Sequence, residues 1–282
     1  MKVNFTKMHG CGNDYIYLDC INENIKISNP GEIAKKLSNR HFGIGSDGIV
    51  LILSSNKADY KMRMFNSDGS EGNMCGNAVR CIAKYIYEKN HTLNDTISVE
   101  TLSGIKYLKL KIKDDKVIEV EVDMGKAILE TKLIPVLTDK HKFINEFMFV
   151  DKKHYNVTCV SMGNPHCVIV MDNISELNIN DIGPKFENHK LFPDRINTEF
   201  VKVCSKNKLA MRVWERGSGE TLACGTGACA SVVACVINGL CEYDKKITVA
   251  LKGGKLKIIY SKDGTVTMIG PAEFVFSGEV II

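Results

Sequence analysis

Two cysteines, Cys75 and Cys224, close two copies of one residue pattern: MRMFNSDGSEGNMCG over 62–76 and MRVWERGSGETLACG over 211–225. Met62 and Met211, Arg63 and Arg212, Glu71 and Glu220, the two cysteines, and Gly76 and Gly225 all pair at an offset of 149 positions. In each copy a helical apolar pattern starts just after the cysteine. The first N–H groups of a helix have no intrahelical partner, and the macrodipole places about half a positive charge there. That setting lowers a thiol pKa from near 8.5 to roughly 3.5–7.5, so a thiolate is expected at neutral pH. The same N–H groups form a cradle for a substrate carboxylate, and Gly76-Asn77 and Gly225-Thr226 are small or capping residues that allow close approach.

Two such thiols suit one reaction in particular. Inverting a stereocentre by proton removal needs a base on one face and an acid on the other, and a thiolate with a thiol supplies both symmetrically. The two would titrate as a coupled pair. A single Cys-Gly at a helix start reads by itself as a small buried residue, and duplication can preserve the pattern for folding alone. On the residues alone both readings stay open.

The elements that must position these groups are short. Tyr15–Asp19, Ile49–Leu53, Tyr60–Phe65, Ile105–Ile112 and Val117–Val122 alternate as strands, as do Asn156–Val160, Cys167–Met171, Glu199–Val203, Leu209–Trp214 and several runs after Lys246. Ser28-Asn29-Pro30 announces a helix expected to end near His41, before Gly43. After Cys75, the residues Val79, Ile82, Ala83 and Ile86 follow helical spacing and predict one buried stripe. The helix from Gly225 to about Gly239 is apolar nearly all round and is expected inside its domain. With 282 residues, two domains are favoured. The fold class expected is α+β, with two pseudo-symmetric domains, each a curved and mostly antiparallel sheet around a central helix, and a border near Met124–Lys126.

Composition narrows the partners. A net charge of +4 set against 37 basic and 33 acidic side chains gives no dominant field for nucleic acid or an anionic membrane. The Lys-rich strands around 106–116 read as solvated faces. No apolar core follows the N-terminus, and Ala228–Ile237 is too short to span a bilayer, so a soluble cytoplasmic protein is expected. Eleven cysteines without any C-x-x-C give neither a disulfide framework nor metal spacing, and Cys81, Cys229 and Cys235 read as small buried residues. Gly225-Thr226-Gly227 to Ala230 matches a dinucleotide-binding fingerprint, but no second strand with an acidic end follows.

Five blocks in order, KMHGCGNDY (7–15), NRHFGIGSDG (39–48), FNSDGSEGNMCGNAVRC (65–81), SMGNPHCV (161–168) and WERGSGETLACGTGACA (214–230), resemble those of diaminopimelate epimerases. The resemblance runs from about residue 5 to the last strands. It implies a cofactor-independent enzyme, needing no metal, that interconverts LL- and meso-diaminopimelate for lysine and peptidoglycan synthesis. Its domains would be 1–124, completed by the last strand at 271–282, and 125–270, and the assembly a homodimer. Cys75 and Cys224 are carried over as the acid/base pair, and Gly76, Asn77, Gly225 and Thr226 as the cradle for the reacting carboxylate. Asn66, Asn164, Asn197 and Arg216 would hold the far carboxylate, while Glu215 and Asn13 would meet or orient ammonium groups. A zwitterionic substrate makes these types sensible, since a guanidinium fork suits a carboxylate and anionic or neutral acceptors suit ammonium. His166 is a secondary base candidate. Gly48 departs from the pattern, because some members carry Gln there, and it falls opposite Asn197 at the 149 offset.

Rival readings remain on the sequence. Proline and hydroxyproline racemases also use facing cysteines, but Arg216 with Glu215 and the three asparagines argue for a substrate with a second charged end; phenazine-type isomerases share the architecture without the two thiols and fit poorly. A thiol redox protein would want a close cysteine pair with a resolving partner; the 149-residue separation still allows a disulfide, and Cys75 and Cys224 are expected to be oxidisable to an inactive bridge.

Overall fold

The computed structural model describes all 282 residues, Met1–Ile282. The chain forms two compact units, residues 1–122 with 270–282, and residues 123–269. In the first, the strands lie in the order Glu273–Ile281, Lys2–Gly10, Asn13–Asp19, Gly48–Leu53, Tyr60–Asn66, Thr96–Thr101, Gly104–Lys113 and Lys116–Lys126. Neighbours are antiparallel except 13–19 beside 48–53 and 60–66 beside 96–101. In the second, the order is Glu146–Val150, Lys153–Ser161, Pro165–Val170, Asn197–Ser205, Lys208–Glu215, Lys246–Leu251, Gly254–Tyr260 and Thr265–Gly270. Here too only two steps are parallel, 165–170 beside 197–205 and 208–215 beside 246–251. The repeat is therefore one of topology as well as of residues, in the α+β class expected.

Each sheet has a helix on either face, because successive side chains of a strand alternate. In the first unit Ile16, Leu18, Ile49, Leu51 and Phe65 meet Ala34 and Leu37 of helix α1, Pro30–Ser38. On the other face Tyr17 donates from its hydroxyl to the Ala78 carbonyl of helix α2, Gly76–Glu88. In the second unit Val157, Cys159, Cys167, Ile169 and Phe200 pack with Ile179, Ile182 and Phe186 of helix α3, Ile179–Glu187. Helix α4, Gly225–Ile237, lies on the opposite face, where Ser231 reaches the Met211 sulfur and Asn238, just past the helix, reaches Thr158. Helices α2 and α4 are both thirteen residues long.

Two local expectations change and one helix is new. Helix α1 ends at Ser38 rather than near His41, because the Asn39 carbonyl oxygen Oδ1 accepts from the N–H groups of His41 and Phe42 at 2.9 and 2.8 Å and turns the chain. Helix α2 buries every residue from Gly76 to Ile86, not one stripe. Its two cations are satisfied inside: Arg80 by backbone carbonyls and Asn77, Lys84 by Glu88 at 2.9 Å and the Val117 carbonyl at 2.7 Å. Helix α3, with Pro184 inside it, is an element to which the sequence analysis assigns nothing. Burying Ile179, Ile182 and Phe186, at about 1.5–3 kcal/mol each, outweighs the cost of Pro184, about 3 kcal/mol. Gly183 lets it lie on Trp214, whose ring a Cβ there would meet at 2.4 Å. No helix is long and apolar enough to cross a membrane.

Candidate active site

Cys75 and Cys224 are the residues immediately before α2 and α4, with similar extended backbones: φ −131° and ψ 121° at Cys75, φ −117° and ψ 114° at Cys224. Their sulfur atoms are used differently. Cys224 Sγ accepts the Gly227 N–H at 3.3 Å and lies 3.4 Å from Thr226 Oγ1, so it caps its own helix. Cys75 makes no such cap and instead donates to Asn13 Oδ1 at 3.3 Å. Cys75 is half-buried, whereas Cys224 is 6 % exposed.

The repeated arginine and glutamate are braces. Arg63 holds Glu71 through two bonds of 2.7 and 2.9 Å, and Arg212 holds Glu220 at 2.8 Å. Each pair ties a two-residue return strand, Glu71–Gly72 or Gly219–Glu220, to the long strand before it. That return delivers the chain to the cysteine and its helix.

The predicted binding residues fall into two groups, one in each unit. In the first unit Asn13 Oδ1 also accepts from Asn77 Nδ2 at 3.2 Å, so Cys75, Asn13 and Asn77 meet at the start of α2. Asn66 is engaged with Ser70 at 3.0 Å in the turn after its strand. In the second unit Asn164 Nδ2 donates to Thr226 Oγ1 at 3.3 Å. Asn197 is a brace: its Nδ2 donates to the Pro165 carbonyl at 2.8 Å and its Oδ1 accepts the Arg216 N–H at 2.9 Å. Arg216 reaches the Asp194 carbonyl at 2.8 Å from an exposed turn, and Glu215 accepts from the Thr221 hydroxyl. Gly48 occupies the step equivalent to Asn197, and there is no room for a side chain, since a Cβ would lie 2.1 Å from the Phe65 carbonyl oxygen.

Electrostatics separate the two thiols further. Burial pushes the Cys224 thiol well above its ordinary range, and the charges of Glu215 and Glu199 add to this against the Thr226 hydroxyl and Gly227 N–H. The expectation of a lowered pKa at this helix start is therefore overturned. A helix terminus contributes about 0.3–1 kcal/mol at exposed sites, whereas full burial can move a group by about 3–5 pH units. Burial also raises the Glu215 carboxyl, partly offset by Thr221 and His166.

Sequence reasoning passed over Glu199, which is fully buried with His166 Nδ1 at 2.7 Å, while His166 Nε2 sits 3.0 Å from Asn164 Oδ1. Glu199 Oε2 is buried without a hydrogen-bond partner, and its carboxylate presses against α4 so closely that a Cβ at Gly227 would meet Oε1 at 2.6 Å. An acidic side chain in the run Asn197-Thr198-Glu199-Phe200-Val201, buried throughout, was the available signal. Asp47 and Arg80 were also passed over: Asp47 accepts from the Asn13 amide, and Arg80 donates to Asn77, which in turn donates to Asn13.

Similarity to known proteins now bears on this geometry. A family model described as diaminopimelate epimerase matches residues 5–130 and 158–275. A relative from Acetivibrio thermocellus described as diaminopimelate epimerase is 57% identical over 277 residues, covering 98% of each chain. A Bacillus anthracis phenazine biosynthesis protein of the PhzF family shares the fold with a TM-score of 0.71 at 15% identity, covering 100% of both chains. A hydroxyproline epimerase from Agrobacterium vitis shares it at 0.68 and 12% identity, over 99% of this chain and 92% of that one. These last two speak to the fold alone.

Proposed function

This chain belongs to the diaminopimelate epimerase family, and from that premise we propose that it interconverts LL- and meso-diaminopimelate, with Cys75 and Cys224 as a two-base pair. It is an isomerase of the route to lysine. One thiolate removes the α proton while the other thiol returns one to the opposite face, and the reverse reaction exchanges the roles. The observation that carries this reading is the duplicated cysteine itself, placed before two equivalent helices on similar extended backbones. Cys224 enters as the protonated partner, because burial, Glu215 and Glu199 hold its proton, and Cys75 enters as the base.

The N–H groups of Gly76, Asn77, Gly225 and Thr226 have no intrahelical acceptor and suit the reacting carboxylate. Arg216, Asn66, Asn164 and Asn197 serve the far carboxylate, and Asn13 with Glu215 the ammonium groups. No cofactor enters the scheme. The two units act as the two catalytic domains of a cytoplasmic homodimer that also feeds peptidoglycan synthesis.

The test is inversion in D2O. Reduced protein is given LL-diaminopimelate without pyridoxal phosphate, metal or nucleotide, and deuterium at the α carbon is followed with the meso isomer. Inversion with one solvent deuterium per turnover is expected. No inversion of diaminopimelate, with turnover of proline instead, would move the chain to the proline racemase reading.

A further inference from the structure

What holds the amide that Cys75 bonds is fully specified by its neighbours. Asn13 Nδ2 donates to Asp47 Oδ2 at 2.7 Å, and a carboxylate only accepts. Oδ1 of the same amide therefore faces the other way, where it takes the Cys75 thiol at 3.3 Å and Asn77 Nδ2 at 3.2 Å. Asn77 is fixed in turn, because its Oδ1 accepts from Arg80 Nη2 at 2.9 Å. Arg80 only donates, is fully buried, and also reaches the Gly76 and Pro271 carbonyls at 3.0 and 3.1 Å. The row Arg80, Asn77, Asn13, Asp47 thus runs from a pure donor to a pure acceptor, and each amide has one orientation.

Asp47 is itself seated. Its Oδ2 accepts the Asp14 N–H at 3.1 Å, and its Oδ1 meets Arg40 at 2.9 Å. Arg40 also grips Asp14 at 2.7 Å, which Lys7 approaches at 2.8 Å.

We infer that Asp47 is a positioning residue for Cys75: it keeps the Asn13 amide turned so that a carbonyl oxygen, not an N–H, faces the sulfur. This rests on the acid/base reading of Cys75. An acceptor beside a thiol favours the protonated form, so the amide holds the Cys75 proton until another donor claims the same oxygen. A substrate ammonium is such a donor, and its arrival would release the thiol to ionise. Asp47 touches neither the sulfur nor the reacting atoms in this scheme.

Two variants separate charge from orientation. Asp47→Asn and Asp47→Ala both remove the carboxylate charge, but only asparagine keeps an oxygen for Asn13 Nδ2. The remaining ionisable neighbours are common to both: Tyr17 on the strand 13–19, Cys81 and Arg80 on α2, and Asp14, Lys7 and Arg40 around position 47. Iodoacetamide alkylation of the intact reduced protein is followed as a function of pH on the tryptic peptide 64–80, which holds Cys75 and no other cysteine. In Asp47→Ala the alkylation midpoint falls by about one pH unit, roughly twice the fall in Asp47→Asn or more. Asp14→Asn, which weakens the same ion cluster but leaves the row of amides intact, serves as the fold control and shifts least. Equal midpoints in the two Asp47 variants, or a shift in Asp14→Asn as large as in Asp47→Ala, overturn the inference. Because alkylation is read on the free protein, a chain that fails to invert diaminopimelate leaves this outcome readable, and equal midpoints leave inversion untouched.

Discussion

At Cys75 the sulfur gives its hydrogen to a neighbouring asparagine, while at Cys224 a sulfur on nearly the same backbone accepts from the first turn of its own helix. The asparagines that follow the two hairpin turns, Asn13 and Asn164, both reach the second residue of the helix, Asn77 or Thr226. Their anchors differ: Asp47 takes the amide nitrogen of Asn13, whereas His166, backed by Glu199, approaches the amide oxygen of Asn164. Duplication has thus kept the backbone that presents a thiol and changed the polar groups that govern its proton. An acid/base pair can use such a difference, since its two members start each turnover in different protonation states.

The largest expected effect comes from removing either sulfur. Cys75→Ala and Cys224→Ala each lower kcat for inversion by about a thousandfold, measured by conversion of LL- to meso-diaminopimelate. A large loss in one variant alone would mean that the two openings are not partners. Next comes the position inside each helix where the copies diverge, Arg80 and Cys229, 149 apart. Arg80→Met removes three hydrogen bonds, to the Gly76 and Pro271 carbonyls and to Asn77, and costs about 3 kcal/mol or more, whereas Cys229→Ala costs about 1 kcal/mol, read from urea unfolding. Equal costs would show that the guanidinium is no structural post.

At the shared step between Gly48 and Asn197 the first copy has no room and the second a brace. Gly48→Ala forces the strand away from Phe65 and costs about 1–3 kcal/mol; a midpoint unchanged from wild type in the same unfolding assay would contradict the close approach. The smallest effect is electrostatic. Glu199 faces Cys224 with like charge, which raises the thiol pKa, so Glu199→Gln moves its alkylation midpoint down by about one pH unit while leaving that of Cys75 in place. An unmoved Cys224 midpoint would assign its whole shift to burial and Glu215.

Much of this was readable in the sequence where the signal is local. The constant offset, the glycines after the cysteines and the periods of the strands identify two equivalent halves and the helix starts, because short-range sterics and alternation fix them. The governing partners were not readable. Asp47 reaches Asn13 from a loop and Asn77 reaches it from a helix far along the chain, and the charge of Glu199 acts on Cys224 from a neighbouring strand, so only tertiary packing brings them together. The lowered pKa expected from the dipole at Cys224 failed for the same reason, since burial and two carboxylates are properties of the fold. Helix α3 has a weak local signal, because Gly183 and Pro184 interrupt the apolar spacing of Ile179, Ile182 and Phe186.

The division of labour between the sulfurs is tested most directly by α-hydrogen exchange in the single-cysteine variants, starting separately from the LL isomer and the meso isomer in D2O. Each variant should exchange the α-hydrogen of one isomer without inverting it, Cys75→Ala the one whose proton points to Cys224 and Cys224→Ala the other. If one variant exchanges both isomers at similar rates, or inverts either, the two thiols do not serve opposite faces of the same carbon.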